Sequence, residues 1–189
     1  MSYCRLACAA LCVLTLVPTS CRKPAPASPL HFAREEVNLD VRQGVLEVRA
    51  TYHFQCRATQ PLGASILYPF PLDSAHPYPD SIDIRGFHFQ RRDSGVGFTM
   101  KFRPGAEDSF SAYYRQPLGS NSATYIVTST RKWREPIDLA RFRVTVPAGF
   151  GSVNLNWKPD SVVRADSQVS YFFARKKFFP DHDVTVTWK

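Results

Sequence analysis

Between residues 46 and 56 the even positions read Leu46, Val48, Ala50, Tyr52, Phe54 and Cys56, and the odd ones Glu47, Arg49, Thr51, His53 and Gln55. A period of two sets one side of a strand on a core and the other in water. One-sided alternation belongs to an antiparallel sheet, because parallel strands covered on both faces read as continuous apolar runs. The rhythm returns through Val37, Leu39 and Val41, with Gln43-Gly44 as the turn between the first two strands, and through Val96, Phe98, Met100 and Phe102. Further alternating runs occupy 110–114, 123–129, 142–146, 153–157, 169–173 and 184–188, and the segment 82–89 adds one or two strands. Turn signals such as Arg103-Pro104-Gly105, Pro147-Ala148-Gly149 and Lys158-Pro159-Asp160 separate them at the spacing of a sandwich. Apolar residues never recur at helical spacing beyond about two turns. The only helical candidate is one turn near residues 136–140. The expectation is an all-β fold, an antiparallel β-sandwich of Ig-like or fibronectin-like shape, formed as one domain by residues 30–189. At 44% apolar the chain has the material for a core that needs no staples.

The first 20 residues read as a sorting signal. Arg5 precedes a run from Leu6 to Val17 in which only Thr15 is polar, and such a run is too short to span a bilayer core that needs roughly 20 residues. The segment that follows, Pro18-Thr19-Ser20-Cys21, resembles the cleavage box of bacterial lipoproteins, in which small residues precede a lipid-bearing Cys. Pro18 stands where such boxes usually hold an aliphatic residue. The resemblance implies that Cys21 begins the mature chain and anchors it. Cleavage after Ala25-Pro26-Ala27 and an uncleaved cytoplasmic helix are the competing readings. Residues 21–29 are rich in Pro and Ala and read as an extended tether. Cys4, Cys8 and Cys12 fall in the signal, so Cys56 is left as a buried free thiol without a catalytic role. A Cys21–Cys56 bridge requires lipidation to fail.

Four blocks of the body carry a second resemblance: Tyr52-His53-Phe54, Tyr68-Pro69-Phe70-Pro71, residues 133–147 with Trp133, Pro136-Ile137, Ala140, Phe142, Val144 and Val146-Pro147, and residues 179–188 from Phe179-Pro180-Asp181 to Trp188. In these the chain resembles an uncharacterised family of exported bacterial β-sandwich proteins. The resemblance implies a sandwich fold and supplies no catalytic residue, since its motifs are core aromatics and turn prolines.

Chemistry-bearing patterns are sparse. The five His residues are scattered, and no pair has the spacing that shares a metal on one element. Asp181-His182-Asp183 reads as a solvated turn. Glu35-Glu36 and Glu107-Asp108 are adjacent pairs, read as surface charge and not as carboxyls opposed across a cleft. No nucleophile elbow or phosphate-cradling loop is present. Neither a cofactor nor a metal is expected, and no nucleic-acid reader motif appears.

Two features stand out. Tyr68-Pro69-Phe70-Pro71 and His76-Pro77-Tyr78-Pro79 form a Pro/aromatic stretch that, with Trp133, offers an aromatic binding patch of Tyr68, Phe70, Tyr78 and Trp133 if the rings are exposed. The competing reading has Tyr68 and Phe70 plugging one end of the sandwich. Lys and Arg number 24 against 16 acids, and Arg91, Arg92, Arg131, Lys132, Arg175, Lys176 and Lys177 form three basic clusters that would make an anion-binding surface if they converge. The reading that follows is a membrane-tethered, non-enzymatic β-sandwich of the bacterial cell envelope. It would be a binding or accessory subunit whose partners are the membrane, through its lipid, and an envelope protein or anionic polymer. The alternative is a carbohydrate-binding module or a weakly marked envelope hydrolase.

Overall fold

The computed structural model describes residues 28–189. Cys21, the signal and most of the tether lie outside the described residues. Among the described residues thirteen strands follow one another: β1 (Leu30–Arg42), β2 (Val45–Cys56), β3 (Leu62–Pro69), β4 (Ser81–Ile84), β5 (Gln90–Arg92), β6 (Gly95–Phe102), β7 (Glu107–Pro117), β8 (Ser122–Tyr125), β9 (Ile137–Pro147), β10 (Val153–Leu155), β11 (Ser161–Arg164), β12 (Gln168–Phe178) and β13 (Val184–Trp188). A 3₁₀ helix, Thr128–Trp133, stands between β8 and β9. The all-β expectation holds. The expected helical turn near residues 136–140 does not form: that segment opens β9, with Ile137 and Ala140 on the core side. The run read at 123–129 ends as a strand at Tyr125, and the 3₁₀ helix lies over Thr128–Trp133.

A seven-stranded sheet in the order β11-β12-β9-β1-β2-β7-β4 forms one layer. The second layer is divided into two three-stranded sheets, β10-β13-β8 and β3-β6-β5. Aromatic contacts show what covers what. Phe54 of β2 meets Phe102 of β6, and Phe110 of β7 meets Phe98 of β6, with ring centroids 5.8 and 5.0 Å apart. Phe142 of β9 meets Tyr125 of β8 at 6.4 Å. The β3-β6-β5 sheet thus lies over β2 and β7, and the β10-β13-β8 sheet over β9. All pairings in the large sheet are antiparallel except β1 with β9, which is parallel. Both strands still alternate, because only one face of the sheet is covered.

The sequence alternation of β2 emerges intact, with Leu46, Val48, Ala50, Tyr52, Phe54 and Cys56 buried and their neighbours half-buried or exposed. Cys56 is fully buried and pairs with no cysteine among the described residues. In β1 the register slips between Phe32 and Arg34, so that Ala33 is an extra residue opposite β2. Such a bulge turns the strand over by one position. Before it Phe32 pairs with the inward Phe54, while His31 pairs with Gln55 on the outer face; after it Glu35 pairs with the inward Tyr52. Glu35 is therefore on the core face with Val37, Leu39 and Val41, and only 1% exposed. The expectation of a surface Glu35-Glu36 pair is corrected for Glu35 and holds for Glu36, which is exposed.

The Pro/aromatic stretch is folded down as one end of the core. The buried Gln116 side chain of β7 donates its amide N–H groups to the carbonyls of Pro71 and Pro77, both at 2.8 Å. Asp73 accepts from the backbone N–H of Ala75 and of His76, and Tyr78 donates its hydroxyl to the Gly95 carbonyl. Gly95 has φ of +155°, and a Cβ there would lie 2.0 Å from the Tyr68 carbonyl oxygen. Only glycine lets β6 approach β3 closely enough to hold Tyr68 inward.

Candidate functional site

Where the two small sheets part, the edge strands β3 and β8 leave a cavity of about 340 Å³ above the inner face of the large sheet. Phe32, Tyr52, Phe54 and Phe110 line its floor, Tyr68 and Tyr125 its flanks, and Trp133 and Lys132 of the 3₁₀ helix its cover. The floor is aromatic because the bulge and the pairing of β1, β2 and β7 set ring beside ring. Phe32 stacks on Phe54 with centroids 4.7 Å apart, and Tyr52 on Phe110 at 4.8 Å. Trp133 packs against Phe54 at 5.2 Å and against Phe32 at 6.2 Å.

Two sets of polar contacts hold the cover. At its start the Asp183 carboxylate accepts from the backbone N–H groups of Val127 and Thr128, both at 2.9 Å. At its end Arg134 takes the left-handed conformation, φ 62°, and the chain passes into Glu135 and Asp138. Glu135 pairs with His31 Nδ1 at 3.0 Å and with Arg57 at 2.8 Å, and Asp138 pairs with His31 Nε2 at 2.8 Å and with Lys177 at 2.5 Å. The Arg57 and His31 partners hold the Glu135 carboxyl below its usual range, and Lys177 and His31 do the same for Asp138.

Inside the cavity lie Glu35 and three tyrosine hydroxyls. The Tyr52 hydroxyl is 2.9 Å from that of Tyr68, to which it donates, and 2.6 Å from that of Tyr125. Desolvation pushes all three phenols up, Tyr68 to about 12, so they stay protonated. Glu35 Oε1 is buried and has no hydrogen-bond partner among the described residues. Burial pushes the carboxyl up to about 8. A carboxyl in a dry site without a compensating partner holds its proton, since the charged form would forfeit its hydration. The site can therefore present either a neutral acid or, against an arriving positive charge, a carboxylate.

Of the aromatic residues singled out in the sequence, Tyr68 and Trp133 meet in this cavity, whereas Phe70 and Tyr78 pack on each other at 5.6 Å outside its lining. Tyr68 and Phe70 are buried, and Tyr78 and Trp133 half-buried, so the four rings form no exposed patch. The basic residues sit on three elements. Arg91 lies over the Tyr78 ring and Arg92 bonds Gln90, both on β5, the free edge of one small sheet. Arg131 lies over Phe179, and Lys132 stands exposed at the cavity. Strand alternation divides the third cluster: Arg175 is held by Asp160 and the Lys158 carbonyl, Lys177 by Asp138, and Lys176 is exposed. Glu35, Tyr52 and Tyr125 were not singled out as site residues. The signal for Glu35 was its parity with Val37, Leu39 and Val41.

No protein-family model matches the chain, and no curated protein matches it in sequence. Among solved structures its fold is similar to that of a candidate nutrient binding protein from Legionella pneumophila, with a TM-score of 0.58 and 13% identity over 85% of this chain and 67% of that one. It is also similar to a variant of a two-domain M1 zinc metallopeptidase bound to L-arginine, with a TM-score of 0.50 and 14% identity over 84% of this chain. The chain spans only 42% of that peptidase. At such identities the likeness is one of fold alone.

Proposed function

We propose that the protein is a non-enzymatic binding protein of the bacterial cell envelope, tethered to the membrane by a lipid on Cys21, which takes a small ligand into the cavity between its two small sheets. The observation that carries this reading is the cavity itself: apolar and aromatic walls, a few convergent polar groups and one buried carboxyl with a raised pKa, which together are the marks of a ligand pocket. The fold likeness to a candidate nutrient binding protein supports a binding role. A sugar-stacking platform loses its basis, because the rings that would form it are buried or half-buried. The membrane, and an envelope protein or anionic polymer, are the partners in this reading, with the exposed Lys132 and Lys176 as basic contacts.

Mass spectrometry of the small molecules carried by the purified protein tests the ligand site. The native protein should yield a bound compound that is lost in Ser129→Trp, which sets an indole at the cavity. Identical extracts from the two proteins would place any bound compound elsewhere. Cys21→Ala should move the protein from the membrane to the soluble fraction, and unchanged fractionation would remove the lipid tether.

A further inference from the structure

We propose that the cavity takes a small organic cation, a primary ammonium on a short apolar or aromatic body, with the Glu35 carboxylate as its counter-ion. This rests on the reading of the cavity as a ligand site and adds the ligand's charge and shape.

Glu35 is the first reason. Several other buried polar atoms also lack a hydrogen-bond partner among the described residues, the Tyr114 hydroxyl and Gln116 Oε1 among them, but those two are neutral groups and lie outside the cavity lining. Glu35 is the one carboxyl among them: its Oε1 has no partner among the described residues, and it lines a space that a ligand can fill. Its neighbours in register are Tyr52 on β2 and Ala140 on β9, so no cation of the protein stands beside it on the sheet. The walls are the second reason. Phe32, Phe54, Phe110, Tyr52, Tyr68 and Trp133 surround the site, and ring faces carry negative quadrupole charge that attracts a desolvated cation. The hydroxyls are the third. An ammonium brings three N–H donors, which a carboxylate and the tyrosine oxygens can accept. A divalent metal ion wants six or more oxygen ligands, and among the described residues no group of three or more His, Cys, Asp or Glu is placed to hold one. The volume of about 340 Å³ equals that of about eleven water molecules at roughly 30 Å³ each, which suits one ring and a short amine.

The exchange balances in charge. In the empty site Glu35 keeps its proton at neutral pH because burial pushes it up to about 8. Binding of the ammonium leaves a carboxylate–ammonium pair and releases that proton to solvent. Glu35 shares the cavity with the phenols of Tyr52 from β2, Tyr68 from β3 and Tyr125 from β8, all held protonated by burial, and with Lys132 of the 3₁₀ helix, which leaves the Glu35 carboxyl governed by burial alone; Ala140 of β9 brings no charge. Below about pH 8 the apparent affinity should therefore rise about tenfold per pH unit.

Calorimetry on the detergent-solubilised full-length protein, with 2-phenylethylammonium against the uncharged 2-phenylethanol, tests this. The ammonium should bind at least tenfold more tightly than the alcohol at pH 7.5, release about one proton and tighten from pH 6 to 7.5. Glu35→Gln should make the two probes equal and flatten the pH dependence. Equal binding of both probes to the native protein, or a cation preference that survives Glu35→Gln, overturns the cation while leaving the cavity a ligand site. If neither probe binds at millimolar concentration, the cation is overturned; the ligand site falls with it only if the native protein also carries no compound that Ser129→Trp loses.

Discussion

His31 sits on β1 with one ring nitrogen 3.0 Å from Glu135 and the other 2.8 Å from Asp138, while Glu35, further along the same strand, has a carboxyl oxygen with no partner among the described residues. Both are nearly sealed from water, at 8% and 1% exposure. The bulge at Ala33 sends them to opposite faces of the sheet, His31 outward beneath the segment that follows the 3₁₀ helix and Glu35 inward to the aromatic cavity. A buried polar group that is fully partnered holds structure together, here by tying the cover of the cavity to β1 and to Arg57 and Lys177. A buried polar group left without a partner weakens the fold, and the carboxyl of Glu35 is the one such group among the described residues that opens on the cavity, where the proposed ligand would supply the partner.

The pH dependence of stability should break or sharpen this contrast most strongly. The Glu35 carboxyl has a higher pKa folded, about 8, than its ordinary value of 4.5. The folded state thus binds the proton more tightly. The contribution is fully present below about pH 4.5 and is lost as pH rises through 8. Urea unfolding should show the native protein losing on the order of 3–5 kcal/mol between pH 5 and 8.5, and Glu35→Gln should remove that slope. A flat native profile would mean that Glu35 finds a partner. Glu135 and Asp138 act with the opposite sign: their carboxyls are lowered, so their contribution is lost as pH falls below the carboxylate range.

Trp133→Ala removes the half-buried cover and should cost about 2 kcal/mol, less than the 3–5 typical of a buried Trp. Opening the site to water should also move the Glu35 pKa down toward the ordinary range, as read by carbon-13 NMR titration of the carboxyl; an unmoved value would mean that the ring does not keep the cavity dry. His31→Ala should cost about 2 kcal/mol at pH 6, for two hydrogen bonds to carboxylates, measured as a shift in the urea midpoint, with the Glu35 titration left in place. Coupling of the two would show that the faces are not independent. Tyr68→Phe should cost about 1 kcal/mol for the hydroxyl that accepts from Tyr52, and a cost below about 0.3 kcal/mol would mean that the tyrosine hydroxyls contribute nothing as a group.

Much of the fold was legible because alternation runs unbroken through β2 and β7 and through most of β1 beyond its bulge. β2 and β6 appear where period two placed them, and Cys56 is buried as its parity required. β3 is a strand that the sequence reading misses: it alternates through Leu62, Ala64, Ile66 and Tyr68, but its end reads as part of the Pro/aromatic loop and the rest is not read as a strand. β11 left no pattern, since all four of its residues are exposed at the edge of the sheet. The basic clusters looked continuous along the chain, yet neighbours on a strand face opposite ways, and Arg175 and Lys177 are taken up by Asp160 and Asp138.

The sequence by itself determined the all-β class and which residues of β2, β6 and the 142–146 part of β9 face inward, because these depend on local alternation between water and core. Only the tertiary structure decided the division of the second layer into two sheets, the cavity at their parting and the burial of Glu35. Each of these depends on contacts between segments far apart in the chain. The bulge at Ala33 is the clearest case. Strict alternation from Phe32 would have turned Glu35 to the outer face with His31; pairing with β2 inserts one extra residue and brings the carboxyl beside Tyr52, inside the core.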